Sequence, residues 1–250
     1  MSVVWALATR EVVHFSRARA RVIASIATPA MFWLLVGSGF GGSTLQLAGA
    51  TQVGYSEYFF TGALAMVMLF SSIFSAFSLI EDRNEGFLQG VLVSPAPSYQ
   101  IALGKILGGT MLSSLQGILF LSLASLAGVP VQPLGYLATA LAIVVCSFAL
   151  AGLGLAVAWP SRSISGFHAV MNLLLMPMWL LSGALFPADG AHPVVRLAMQ
   201  FNPFSYCVTT LRHTLYLGSD QPSAWSGVLL FAAATFAAAV FIAHKQRQDG

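Results

Sequence analysis

The 250-residue chain has very little charge: Asp, Glu, Lys and Arg make up 8% of it, and 57% of its residues are hydrophobic. A soluble domain carries about a quarter charged residues, because a closed globule must show polar surface to water. The shortage excludes a soluble enzyme and a disordered tail. Cysteine is nearly absent too, with only Cys146 and Cys207, so a disulfide scaffold is excluded. Cys146 sits in an apolar block and Cys207 far away in a loop, and both are expected as unbridged packing residues. What remains is hydrophobicity in long blocks, with a mean hydropathy of +0.81. Such blocks suit an all-α polytopic membrane protein; a membrane barrel would need alternating segments of about ten residues.

Catalytic chemistry is also missing. His14, His168, His192, His213 and His244 are scattered, and none has the spacing of a zinc site. Ser165 and His168 lie close in sequence, but the Gly-x-Ser-Gly setting of an intramembrane serine protease is absent. Gly104-Lys105 is the one Gly-Lys pair; Ile106 stands where a phosphate loop needs Ser or Thr, and Tyr99 where its first Gly belongs. No catalytic residue, metal or bound cofactor is therefore expected, and the chain itself is expected not to be an enzyme. The net charge of +3 does not point to nucleic acid, because the basic residues flank apolar blocks as membrane topology requires.

Six blocks of 20 or more residues lack acidic and basic side chains: 22–41, 58–80, 106–128, 134–159, 164–186 and 224–243. Each is long enough to cross about 30 Å of hydrocarbon as a helix, which predicts six transmembrane helices in one membrane domain, 1–250. The first block is too long for a signal-peptide core, and no small-residue cleavage site follows it. With the N-terminus inside, Arg10, Arg17, Arg19, Arg21, Arg83, Lys105, Arg162, Lys245 and Arg247 fall on the cytoplasmic side, and Arg196 and Arg212 outside. That bias puts both termini in the cytoplasm. As a helix, residues 1–21 place Arg10, His14, Arg17 and Arg21 on one face and Trp5, Ala8, Val12 and Phe15 on the other. This predicts an interfacial helix with its basic side toward lipid headgroups. The segment 187–223 holds four prolines and two short apolar stretches that cannot span; short, re-entrant-like outer helices before the last span are expected.

The connector between the second and third blocks, 81–105, is the most informative segment. It opens Glu81-Asp82-Arg83-Asn84-Glu85-Gly86 and continues with Phe87, Leu88, Val91 and Leu92. A short helix there would bury the apolar patch and show acids to the cytoplasm. Pro95 and Pro97 end it, and Ser98 can cap the next helix.

This run, with its Leu-Val-Ser-Pro and Leu-Gly-Lys pieces, resembles the permease subunit of ATP-binding-cassette type-2 exporters of drugs, lipids or oligosaccharides. So do the outer Asn202-Pro203-Phe204-x-Tyr206 followed by Leu211-Arg212, the basic Arg17-x-Arg19-x-Arg21 leading to Pro29 and Trp33, and Leu180-x-Ser182-Gly183-x-x-Phe186-Pro187. The resemblance implies a dimer of permeases working with two separate ATPase subunits, which use ATP and Mg, in a bacterial inner membrane. It implies that Glu81, Asp82, Arg83, Glu85 and Gly86 dock the ATPase, with Arg162 in a second, smaller contact. By the same likeness, the outer helices bearing Asn202, Pro203, Tyr206 and Arg212 cap the exit.

Polar side chains inside the blocks are candidates for a substrate path: Ser75 in the second block, and His168, Asn172, Met176 and Trp179 in the fifth. Serines also serve as glue between close helices, whereas His168 and Asn172 are costly in lipid and should face protein or a cavity. With no ionised side chain in any block, an amphipathic or hydrophobic substrate suits the path. The alternatives are a secondary transporter, which usually carries intramembrane carboxylates or broken helices, and an intramembrane enzyme, which lacks its catalytic cluster.

Overall fold

The computed structural model describes residues 3–46, 52–94, 96–129, 132–161, 163–216 and 222–248. In chain order the elements are α1 (Val3–Arg17), α2 (Arg19–Gly39), a hairpin of β1 (Thr44–Gln46) and β2 (Gln52–Gly54), α3 (Tyr55–Asn84), α4 (Phe87–Val93), α5 (Ser98–Leu121), α6 (Pro133–Ala158), α7 (Ile164–Leu180), α8 (Pro193–Phe201), α9 (Pro203–Tyr216) and α10 (Pro222–Gln248). A helix stands at each of the six apolar blocks. Four of them, α2, α3, α6 and α10, are long and apolar enough to cross a membrane. The 17 residues of α7 reach only about 25 Å. α5 has 24 residues but starts at Ser98, well before the expected 106, and takes Lys105 into its body.

α3 is apolar on every side and is buried on every side, from Tyr58 to Asp82, as an all-round hydrophobic helix must be. α2, α5 and α6 pack around it. Small residues let these backbones approach. A Cβ on Gly109 would sit 3.2 Å from Ala151 Cβ and 3.0 Å from Ser75 Oγ, and one on Gly117 would sit 2.9 Å from Ile143. Hydroxyls bridge the same seam: Ser147 donates to Ser113 Oγ at 3.1 Å, and Ser113 to Met68 O at 3.1 Å. Two outer helices bury only a narrow stripe at every fourth residue: Ser25, Pro29, Trp33 and Gly37 in α2, and Phe167, Met171, Leu175 and Trp179 in α7.

α1 packs on the protein, chiefly against α5. Its buried side is Leu7, Ala8, Glu11 and Phe15, while Trp5 is exposed. The expected apolar face is therefore split, because contact with α5 and not a flat membrane surface selects what is covered. Gly104 and Gly108, one turn apart, form the floor: a Cβ on Gly108 would lie 2.5 Å from Glu11 Cβ, and one on Gly104 2.9 Å from Leu7 Cβ. Ser98 does not cap α5; its hydroxyl is buried without a partner, and Pro97 holds the cap position.

Gly108→Leu should push α1 off α5 and destabilise the fold by about 1–3 kcal/mol, the usual penalty of overpacking. Thermal melting in detergent, with trypsin cleavage at Arg10 and Arg17, reports it. Gly39→Ala is the control, since a Cβ there meets nothing within 4 Å. Equal melting and equal cleavage of the two variants would show that the α1–α5 contact does not need the glycine.

Candidate functional site

At one end of the bundle the few charges converge. α3 runs on to Asn84, so Glu81, Asp82 and Arg83 form its last turn and are not a loop. Asp82 is 1% exposed and faces Lys105 of α5 and Arg10 of α1. Lys105 also bonds Glu11 of α1, whose other oxygen accepts from Ser78. Arg10 approaches Asp82 with both terminal nitrogens, 2.6 Å from Oδ1 and 2.9 Å from Oδ2, the second contact aligned as a hydrogen bond. Two carboxylates and two cations thus balance in a nearly dry site. Burial disfavours the Arg10 charge, but the hydrogen bond to Asp82 and the nearby acids outweigh it and hold the guanidinium above its ordinary pKa. Arg21 adds a bond of 3.2 Å to Glu81, and His14 lies 3.9 Å away. Arg10, His14 and Arg21, expected to face headgroups, turn instead to the carboxylates at the end of α3, because a buried carboxylate must find a cation.

Arg83 donates to Trp159 O at 2.6 Å and Ser161 O at 2.7 Å, so it caps the last turn of α6, where carbonyls lack partners. Gly86 joins α3 to α4 with φ +80°, a left-handed conformation suited to glycine. α4 then buries Leu88 and sets Phe87 beneath Arg10, 3.7 Å from the ring centroid. What α4 and its flanks leave open is Asn84, Glu85, Gly86, Gln89, Gly90, Val93 and Tyr99. Of the five expected docking residues, only Glu85 and Gly86 lie open. Asp82 is turned inward, and Glu81 and Arg83 are half-buried and engaged. Arg162 lies outside the described residues.

The other end is held by neutral hydrogen bonds around one cation. Arg212 of α9 donates to Gly183 O (3.1 Å), Tyr58 OH (3.2 Å) and Thr61 Oγ1 (3.3 Å), and stacks 3.9 Å over the Tyr58 ring. Asn202 donates to Met178 O (2.5 Å) and Leu181 O (2.9 Å), and its Oδ1 accepts from Phe204 N at 3.1 Å, so it joins the end of α7 to the start of α9. Pro203 opens α9, as proline suits a first helical turn. Tyr206 donates to Gln200 O at 3.0 Å and lies on Gly227 of α10. The sequence pointed to Asn202, Pro203, Tyr206 and Arg212; their partners Tyr58 and Gly183 were missed. An arginine in an otherwise apolar stretch was the available signal, since it demands buried acceptors.

Cys207 is not in a loop: it is part of α9 and faces α6. Thr139 donates to Thr214 at 3.0 Å, and two turns further along the antiparallel pair Cys146 and Cys207 are neighbours, both free and buried.

The path candidates separate. Ser75 is buried against Gly109, and Trp179, 1% exposed, donates to Gly62 O at 3.0 Å. Both belong to the interior because each is needed to pack or bridge helices. His168, Asn172 and Met176 share the open face of α7, with the His168 ring edge-on to Phe77 at 5.5 Å.

Residues 2–216 match the family described as ABC-2 type transporter. The chain belongs to that family. It is 26% identical over 174 residues to the inner membrane transport permease YhhJ of Escherichia coli, an alignment covering 66% of this chain and 46% of that one. It therefore spans about half the length of that relative. Nodulation protein J of Neorhizobium galegae is 24% identical over 82% of this chain and 77% of its own, and the putative transport permease ycf38 of Cyanophora paradoxa 24% identical over 86% and 76%. Two of these relatives are named transport permeases, and in this chain α4 is the short helix between the second and third apolar helices, α3 and α5.

Lys105→Met leaves Glu11 without its cation and should cost about 3–5 kcal/mol, as breaking a buried pair does. Lys105→Met with Glu11→Gln restores the charge balance, leaves Arg10 on Asp82, and should recover more than half of the loss. Unfolding in detergent micelles measures both. A single variant as stable as the wild type would mean that the cluster does not hold α1 in place.

Proposed function

We propose that this ABC-2 permease is the membrane subunit of an ATP-driven exporter that moves an amphipathic or hydrophobic substrate, such as a drug, a lipid or a lipid-linked glycan, out of the cytoplasm. ATP and Mg are used by a separate ATPase. Six helices, α2, α3, α5, α6, α7 and α10, span a cell membrane, bacterial in setting, with both termini inside; α1 lies at the cytoplasmic interface, α8 and α9 on the outer side. Both chain ends lie at the α4 end, where Arg10 meets Asp82 and Arg247 meets Ala96 O at 2.7 Å. That end also carries most of the Lys and Arg, in keeping with a cytoplasmic placement.

The observation that carries the reading is the open face of α4. The short helix shows Gln89 and the 87%-exposed Val93, with Glu85 exposed in the turn before it, at the tip of the α3–α5 pair. Two copies of the ATPase engage two permeases, one α4 each. ATP-driven closure of the ATPase pair moves α4, and with it the long helices, between inward and outward access. Asp82 supports this by holding the base of α4 and does not itself touch the partner.

A second permease covers the open face of α7. Ser165, His168 and Asn172 are exposed there, and polar side chains are costly against lipid. His168, Asn172 and Met176 then line the path between copies, with no Asp, Glu, Lys or Arg on α7 to hold a small charged solute. The secondary-transporter reading has one supporting observation, the buried Glu11–Lys105–Asp82 group. Its charges are already balanced by Lys105 and Arg10, which suits a fixed clamp.

Glu85→Arg and Val93→Asp, each in the whole permease, should weaken capture of the partner ATPase about tenfold, a typical loss at an interface hot spot. Co-purification and fluorescence titration read the affinity, with melting temperature as the check on folding. Binding unchanged in both variants would remove α4 as the docking element. An ATPase activity of the reconstituted complex that responds only to small hydrophilic solutes would remove the substrate class.

A further inference from the structure

The docking reading of α4 raises the question of what fixes that helix in space. The chain attaches it only through Glu85–Gly86 at one end and residues 94–97 at the other. Seven residues make less than two turns and cannot hold an orientation unaided. Its first residue is gripped by Arg10 of α1, over the Phe87 ring. Its last turn is gripped from much further away in sequence. Arg247, in the final turn of α10, donates from Nη1 to Ala96 O at 2.7 Å and from Nη2 to Ser94 O at 2.9 Å. Ser94 is the C-cap of α4, where the helix presents unpaired carbonyls and the negative end of its dipole.

We infer that Arg247 is a positioning residue for the docking helix, acting as a two-pronged clamp that fixes the C-terminal end of α4 to the last span; this rests on the docking role proposed for α4. The guanidinium suits the task. Its planar fork sets two donors at fixed spacing, so two carbonyls are held in one relative geometry, which a single ammonium does not do. The clamp also adds α10 to the anchors that α4 has in α3, α5 and, through Arg10, α1. Displacement of α4 by the ATPase is thereby passed to α10, which packs along α6 and α9 and meets Tyr206 of α9 at Gly227. Arg247 touches no exposed docking residue, so it acts on the ATPase only through where it places α4.

The test uses the full permease in lipid nanodiscs as wild type, Arg247→Gln and Arg247→Lys. Hydrogen–deuterium exchange over residues 86–97 should rise about tenfold in Arg247→Gln, as for one lost charge-assisted bond, with exchange in α3 and α6 unchanged. Arg247→Lys, with one prong, should fall between. With the purified partner ATPase, Arg247→Gln should raise the apparent Kd for the permease about tenfold while ATP hydrolysis at saturating permease and the melting temperature stay at the wild-type values. Exchange unchanged in Arg247→Gln overturns the clamp. A raised Kd accompanied by an equal fall in melting temperature overturns the positioning role in favour of a general structural one. An ATPase that ignores the wild-type permease overturns the docking reading instead, while the exchange result still decides whether Arg247 holds α4.

Discussion

Lys105 is the residue on which the α4 end of the bundle depends. It is 4% exposed in the body of a helix and needs partners there, because burial of a lone charge costs far more than any packing contact returns. Two carboxylates supply the compensation, and they come from different helices, Glu11 of α1 and Asp82 of α3. Two acids against one lysine would leave an excess negative charge, and Arg10 removes it. Once these four groups are placed, α1 can no longer float at a membrane surface. It is fixed across Gly104 and Gly108 of α5, and the end of α3 is fixed with it.

The position of α4 follows from that arrangement. The turn at Gly86 leaves α3 immediately after the clamped Asp82, so α4 starts from a rigid point. Arg10 serves twice, binding Asp82 and lying over Phe87, which ties the ion cluster to α4 through one side chain. Arg83 carries the same rigidity sideways to the end of α6. A displacement of α4 is therefore felt by α1, α3, α5 and α6 together.

Much of this was legible in the sequence, and the failures have a common cause. The six apolar blocks, the short helix at Phe87–Val93 and the two short helices within 187–223 follow from hydropathy, proline and glycine, which act locally. The membership of the ABC-2 family was legible from ordered motifs. The role of Asp82 was not. Read along the chain it is one of several acids in a polar run, and only the continuation of α3 to Asn84 turns it inward beside a lysine 23 positions away. Lys105 looked like a loop residue because an apolar block seemed to start after it. Cys146 and Cys207 looked unrelated because their meeting depends on α9 lying antiparallel to α6. In each case the deciding contact is between helices, and a period or a composition carries no information on which helices become neighbours.

The two ends of the bundle solve the same problem by different means, and α7 shows the consequence. The α4 end uses ion pairs. At the opposite end the Arg212 guanidinium is satisfied by neutral oxygens of Tyr58, Thr61 and Gly183, and Asn202 ties the end of α7 to α9. α7 is thus anchored firmly at its C-terminal end and by the buried stripe from Phe167 to Trp179, with Pro177 one turn before that anchor. Proline removes one backbone donor and crowds the preceding turn, so the helix above it and below it need not share one axis. The remaining circumference of α7, including His168 and Asn172, is exposed among the described residues. A helix fixed at one end, interrupted near that end and open along one side differs from α3, which is enclosed throughout. The polar groups of α7 lie where the fold leaves a side chain free to meet something other than its own bundle, and those of α3 lie where it does not. That difference separates His168 and Asn172 from Ser75, in line with the distinction between helix-packing serines and polar groups that are costly in lipid.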